Sequence, residues 1–212
     1  FEAIGYKVLA HGLNQWNGVA FAYKQDLEAE DIETSFDQQP EFKDVQEARA
    51  LGATFNGVRV WSLYVPNGRG LDDPHMQYKL EFLDRLAATT AEQLEMDPEL
   101  EIALVGDFNV APLDSDVYDL SLFETHVSEP ERDAFSAFEQ IGLTDKVREL
   151  VPDIYTYWDY KDLCFPKNNG MRIDFMLTSD ALTERIESAS IERDERKGEL
   201  PSDHVPVVIS LS

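Results

Sequence analysis

The chain has 212 residues, a formal net charge of −24 at pH 7 and a single cysteine, Cys164. That length holds one domain with a large core, one cysteine excludes an internal disulfide, and no apolar run approaches the roughly 20 residues of a membrane span. So acidic a surface aids solubility and repels phosphate polymers at long range, which leaves nucleic-acid binding to local basic groups or a bound cation.

The chain opens on Phe1, and Glu2-Ala3-Ile4-Gly5-Tyr6 reads as the tail of a helix running into a strand, as in the middle of a larger protein. No segment reads as a signal peptide. Strands are expected over Tyr6–Ala10 and Val19–Lys24, around a polar turn with Asn17-Gly18. Residues 26–43 are acidic and weakly patterned, a loop with an edge strand. Ala48–Phe55 and Val58–Val65 alternate as a hairpin about Asn56-Gly57, and Pro66-Asn67-Gly68 breaks the second strand.

Met76–Met96 has helical periodicity through Leu80, Leu83, Leu86, Ala87 and Leu94. Ile102–Val105 is a buried strand. A helix over Glu131–Ile141 opens on Ser128-Glu129-Pro130-Glu131, which resembles a capping box, and closes at Gly142. Strands over Arg172–Thr178 and Val205–Leu211 enclose a short helix at Asp180–Glu184. Strands outnumber helices and several are joined as hairpins, so the expected fold is α/β (α+β): mixed or antiparallel sheets in a sandwich flanked by helices.

Four constellations carry chemistry. Gly106-Asp107-Phe108-Asn109 follows the apolar run Ile102–Val105, so a carboxylate and an amide two residues apart stand at a strand mouth. A buried carboxylate there needs compensation, which a divalent cation supplies; an Asp-Asn turn closing the strand is the plainer alternative. Ser202-Asp203-His204 precedes the strand Val205–Leu211 and offers a metal-facing oxygen beside a phosphate-facing donor. His11, His75 and His126 show no metal-ligand spacing. In Asn168-Asn169-Gly170-Met171-Arg172-Ile173-Asp174-Phe175, Asp174 suits the orientation of His204, and a buried Arg172–Asp174 pair is the competing reading. Tyr155-Thr156-Tyr157-Trp158-Asp159-Tyr160 supplies aromatics for core or for stacking on a base or sugar.

Together with Tyr64-Val65-Pro66-Asn67-Gly68, these motifs in this order resemble the exonuclease III class of apurinic/apyrimidinic endonucleases, within the endonuclease/exonuclease/phosphatase superfamily. The resemblance spans essentially the whole chain. Gly-Asp-x-Asn and Ser-Asp-His recur across the superfamily, whereas Asn-x-Gly-x-Arg-Ile-Asp after Tyr-Thr-Tyr-Trp points to the exonuclease III branch. It implies a DNase I-like four-layer sandwich of two mixed or antiparallel sheets flanked by helices. It further implies a monomer at the cytoplasmic nucleoid that uses Mg²⁺ or Mn²⁺ and acts on double-stranded DNA at abasic sites or 3′ ends, with no membrane partner.

By that resemblance Asp107 positions or deprotonates the attacking water, and Asn109 orients the water and the phosphate. His204, held by Asp174, contacts the scissile phosphate, and Tyr64 contacts the phosphate or supports the leaving group. Asp203, with Asp107 and Asn109, holds the metal. Tyr157, Trp158 and Met171 line the pocket for an extruded sugar, with Arg172, Asn168 and Asn67 also on the substrate side. Met171 stands where some members carry Trp. The resembled family also has an early strand with an Asn-x-Asn-type motif and a second ending in a metal-binding Glu; neither has a counterpart here, and the expectation is a domain over 1–212 that is incomplete at its N-terminus. Two other readings stay open: a relative acting on a non-DNA phosphoester, which the acidic surface favours, and a noncatalytic module that keeps the fold without the metal.

Overall fold

The computed structural model describes residues 1–212. Nine strands and five helices follow the chain. The hairpin β1 (Tyr6–Asn14) and β2 (Asn17–Lys24) follows a 3-10 turn at Glu2–Ile4; it turns at Gln15-Trp16, and Asn17-Gly18, expected in the turn, instead opens β2, where Asn17 pairs with Asn14 and Gly18 with Gly12. A five-stranded sheet then forms from β3 (Glu30–Glu33), β4 (Ala50–Phe55), β5 (Val58–Tyr64), β6 (Ile102–Asp107) and β7 (Asp174–Thr178), in that spatial order. Strands β5 and β6 run parallel, and the other pairs are antiparallel. A parallel neighbour requires a long crossover, which the helix α1 (Pro74–Met96) supplies.

Helix α1 starts where its chemistry directs. Asp73 caps it by accepting from the His75 amide at 2.8 Å, and Pro74 fills the first turn, where its missing N–H costs nothing. Its buried stripe is Met76, Lys79, Phe82, Leu83 and Leu86. Leu80, expected in that stripe, is only half-buried, and a lysine holds the neighbouring interior place. Helix α2 (Glu129–Gln140) carries the full capping box, Ser128 with Glu131, and ends before Gly142 at φ 93°.

Both helices cover one face of the five-stranded sheet. Phe82, Leu83 and Leu86 of α1 and Phe138 of α2 share a cluster with Trp61, Leu63, Ile102, Leu104, Phe175 and Leu177. Strand alternation turns Ala103 and Val105 to the opposite face, where Val58, Val60 and Leu211 meet them. Burying each large apolar side chain contributes about 1.5–3 kcal/mol.

That opposite face is met by the antiparallel pair β8 (Ile186–Ile191) and β9 (Val207–Leu211), and by Phe21 and Tyr23 of β2 stacked against Phe55. The architecture is thus mixed α/β, with mixed and antiparallel sheets flanked by helices, and the second layer consists of two ribbons. Strand β8 and the short helices α3 (Lys146–Leu150) and α4 (Cys164–Lys167) were not expected; α5 (Asp180–Thr183) was. Residues 172 and 173, expected in a strand, precede it, because the Arg172 N–H donates to the Asp116 carbonyl and the Ile173 N–H to the Thr156 hydroxyl. No helix is long and apolar enough to cross a membrane.

Candidate active site

The candidate site lies where β5, β6 and β7 end. In register, Asp107 of β6 stands between Tyr64 of β5 and Asp174 of β7. Gly106 makes this possible: its φ is 140°, and a Cβ there would sit 2.0 Å from the Leu63 carbonyl oxygen. Only glycine lets β6 approach β5 so closely one residue before the carboxylate.

Both oxygens of Asp107 are held by Asn109, whose backbone N–H donates to Oδ1 (2.8 Å) and whose Nδ2 donates to Oδ2 (2.9 Å). Asn109 is buried and left-handed, at φ 50°. Its Nδ2 also donates to the Val65 carbonyl (3.0 Å), and its Oδ1 accepts from Asn67 Nδ2 (3.0 Å) and lies 3.2 Å from His126 Nε2. The amide is therefore saturated within the chain and serves as a clamp on Asp107. The turn reading of this motif is realised, and the turn fixes the orientation of the carboxylate.

The other side of the site is assembled by a zipper. The 155–158 segment bonds to residue 171 on one side and to residues 203–205 on the other. Tyr157 and Met171 exchange backbone bonds at 2.9 Å, Trp158 N–H donates to the Asp203 carbonyl (2.9 Å), and Val205 N–H donates to the Thr156 carbonyl (2.9 Å). The buried Thr156 hydroxyl accepts from the Ile173 and Asp174 amides, at 3.1 and 3.2 Å. This brings Asp174 to His204, with Nδ1 at 2.8 and 3.0 Å from the two carboxylate oxygens. The Tyr157 ring centroid lies 4.9 Å from that of His204.

The charges follow from this packing. Burial pushes the Asp107 carboxyl up to about 7, with the nearby Asp174 charge adding to the shift and His204 opposing it. Burial draws the His204 imidazole down, but the Asp174 hydrogen bond and charge outweigh it and raise the group to about 9. Burial likewise pushes the Tyr157 phenol up to about 12, so it stays protonated. At neutral pH the site presents an imidazolium on a carboxylate, beside a second carboxylate poised between its two forms.

Several residues placed on the substrate side fall elsewhere. Trp158 is wholly buried with Val147, Ile191 and Val205, so it is core and does not line a pocket. It also explains Gly170, where a Cβ would stand 2.5 Å from the indole nitrogen. Arg172 is buried and donates to the Val151 carbonyl at 2.8 Å; its carboxylate neighbour is Asp145 at 3.7 Å, and the expected pairing with Asp174 does not form. Asn168 caps α4 in the left-handed region and meets Arg193 at 3.5 Å. Tyr64 is half-buried with the Arg49 guanidinium 4.9 Å from its ring. Asn67 reaches the site through Asn109. Asp203 is half-buried and engages Trp158 through its backbone, which leaves its carboxylate free.

Tyr157 and Met171 do line a recess of about 210 Å³, together with Tyr118, Phe123, Asp159 and Lys161. A roomier cleft of about 480 Å³, bordered by Arg132, Phe135 and Arg148, contains none of the residues singled out from sequence. The smaller recess is the one that adjoins the strand-end residues, through Tyr157, whose ring stands against His204. Tyr118 and Phe123, edge to face at 5.7 Å, were missed because no motif surrounds them. Lys79, His126 and Glu131 were missed as site neighbours as well. A lysine within the apolar stripe of α1 was the available signal for Lys79.

The chain matches the Endonuclease/Exonuclease/phosphatase family over residues 4–204, and it belongs to that family. It is 33% identical over 173 residues to an exodeoxyribonuclease of Bacillus subtilis (strain 168), a match covering 79% of this chain and 65% of that protein, so it spans less than two thirds of that relative's length. Among solved structures, a 3′ phosphatase, NExo, from Neisseria, bound to a product DNA hairpin, superposes with TM-score 0.91 and 31% identity, covering 100% of this chain and 81% of that one. An AP endonuclease from Archaeoglobus fulgidus gives 0.89 and 32%, covering 99% and 80%.

Divalent-metal dependence is general in this family. No group of three or more His, Cys, Asp or Glu side chains stands close enough here to hold an ion. Asp107 and Asp203 carry hard oxygen donors, which suit such a cation in kind. The raised Asp107 carboxyl marks a place that a neighbouring positive charge would relieve.

Proposed function

We propose that residues 1–212 form one domain of a DNA-repair nuclease that hydrolyses the phosphodiester 5′ to abasic sites, with 3′–5′ exonuclease and 3′-phosphatase activity. The observation that carries this reading is the arrangement at the strand ends. A clamped carboxylate, Asp107, adjoins an imidazolium, His204, held by Asp174. The likeness to an AP endonuclease and to a DNA-bound 3′ phosphatase supports DNA as the substrate.

Asp107 takes the proton of the attacking water; a carboxyl near 7 is well matched to that task at neutral pH. His204 donates from Nε2 to a phosphoryl oxygen, while Asp174 fixes the ring through Nδ1. Asn109 keeps Asp107 aimed, and Tyr64, its neighbour on β5, faces the phosphate or the leaving group. Asp203 and Asp107 would hold Mg²⁺ or Mn²⁺, which supplies charge neutralisation at the phosphate. Tyr157 and Met171 take the sugar in the recess they line. On this reading the protein works as a monomer at the cytoplasmic nucleoid.

The charge of −24 favours a second reading, a small phosphoester in place of DNA. Cleavage of a labelled duplex bearing one abasic-site analogue, by the full-length protein with Mg²⁺ and with chelator, tests the choice. Metal-dependent incision that Asp107→Asn abolishes is the expected result. Phosphate release from small phosphoesters without incision would overturn it.

A further inference from the structure

We infer that Lys79 is a positioning residue of this site, with Glu131 as its counter-ion. The idea rests on the proposed nuclease reading only for its activity readout. The Lys79 and Glu131 side chains are both 0% exposed, and they form an ion pair. The Lys79 ammonium also donates to the Asn109 carbonyl at 2.6 Å and to the Asn67 carbonyl at 3.4 Å. All three of its protons are thereby directed at acceptors. The two asparagines it joins are those whose side chains bond each other at 3.0 Å in front of Asp107.

Glu131 is fixed in turn, because its second oxygen accepts from the Ser128 amide (3.2 Å) and hydroxyl (2.6 Å). One buried ammonium thus ties α1, the N-terminus of α2, the Asn67 loop and the left-handed Asn109 into a single network. Stability alone is a poor reason for it. Buried ion pairs cost desolvation, and apolar replacements of similar volume are often neutral or stabilising. Position 79 lies in a stripe with Met76, Phe82, Leu83 and Leu86, where methionine would pack. The ammonium supplies donors to two carbonyls at a non-glycine residue held at φ 50°, and so holds Asn109 where it clamps Asp107.

The test compares wild type with Lys79→Met/Glu131→Gln. The glutamine keeps the capping box and leaves no buried charge unpaired. The melting temperature is expected to stay near wild type, while kcat for incision falls about 100-fold with KM little changed, as for misplacement of a reacting group. Hydrogen exchange at the Asn109 amide, which donates to Asp107, is expected to speed at least tenfold (about 1.4 kcal/mol). In the single variant Glu131→Gln the lysine keeps both carbonyl bonds, and Asn109 is expected to remain protected. Equal Asn109 protection in wild type and double variant overturns the inference whatever the activity. Absence of phosphoester cleavage by the wild-type protein overturns the nuclease reading, and exchange at Asn109 still decides the inference.

Discussion

The two sides of the candidate site are built on opposite principles. On one side Asn109, Lys79, Glu131 and His126 are buried and use their polar atoms on one another. On the other, His204 and Asp203 are half-buried, the His204 ring stands against Tyr157, and Tyr157 and Lys161 border a recess, so polar groups stay available. The difference teaches which residues hold and which act. Asn109, expected to orient a phosphate, belongs to the holding side; Asp107 is the point where the two sides meet.

The strongest way to break this division is Asp107→Asn. Incision is expected to fall by about 10³-fold or more, consistent with losing a general base. The melting temperature at pH 7 should stay near that of wild type. A group whose folded value exceeds its unfolded one destabilises the fold as it ionises, and asparagine removes that cost, while it offers one acceptor to the two Asn109 donors and so gives up one bond. A large fall in melting temperature would put Asp107 on the holding side.

Trp158→Ala and Tyr157→Ala separate neighbours in sequence. The first empties a wholly buried place and is expected to cost about 3–5 kcal/mol in urea unfolding. If it left stability intact and raised KM, the assignment of Trp158 to the core would be wrong.

The holding side also predicts a pH dependence. Burial, with Lys79 adding its charge, lowers His126 to about 4, so the ring is neutral at pH 7. Its Nε2 faces Asn109 Oδ1 at 3.2 Å and Asn67 Nδ2 at 3.3 Å, and its Nδ1 faces the Thr125 hydroxyl at 3.0 Å. The unfolded chain binds a proton near 6.5 that the folded chain refuses until about 4. Stability present above 6.5 is therefore lost as pH falls between those values, by up to about 3 kcal/mol. Urea melts of wild type and His126→Gln from pH 7 to 4 should converge at the acid end.

The smallest effect is expected for Tyr157→Ala: incision KM rising about tenfold, some 1.4 kcal/mol, with kcat held within a few-fold. A kcat loss as large as that of Asp107→Asn would instead move Tyr157 into the chemistry.

Much of this molecule was legible in its residues because the relevant physics is local. Apolar alternation marked β1, β2, β4 and β5, and the Asn56-Gly57 turn marked the β4–β5 hairpin; the 3.6-residue stripe and the capping box marked α1 and α2. Short motifs beside apolar strands singled out Asp107, Asp174 and His204. Strand β8 and helix α3 escaped because Ile186-Glu187-Ser188-Ala189-Ser190-Ile191 and Lys146–Leu150 are too short and polar for a period to show. The tertiary structure alone decided which groups close the network. Nothing local distinguishes Trp158, sealed in the core, from Tyr157 beside it at the recess, or gives Arg172 to Asp145 in place of Asp174. Nor does any window of sequence bring Lys79 to Glu131 or His126 to Asn109. Those partners meet only when helices and strand ends far apart in the chain pack together, and a buried charge or amide must then find its partner across that distance.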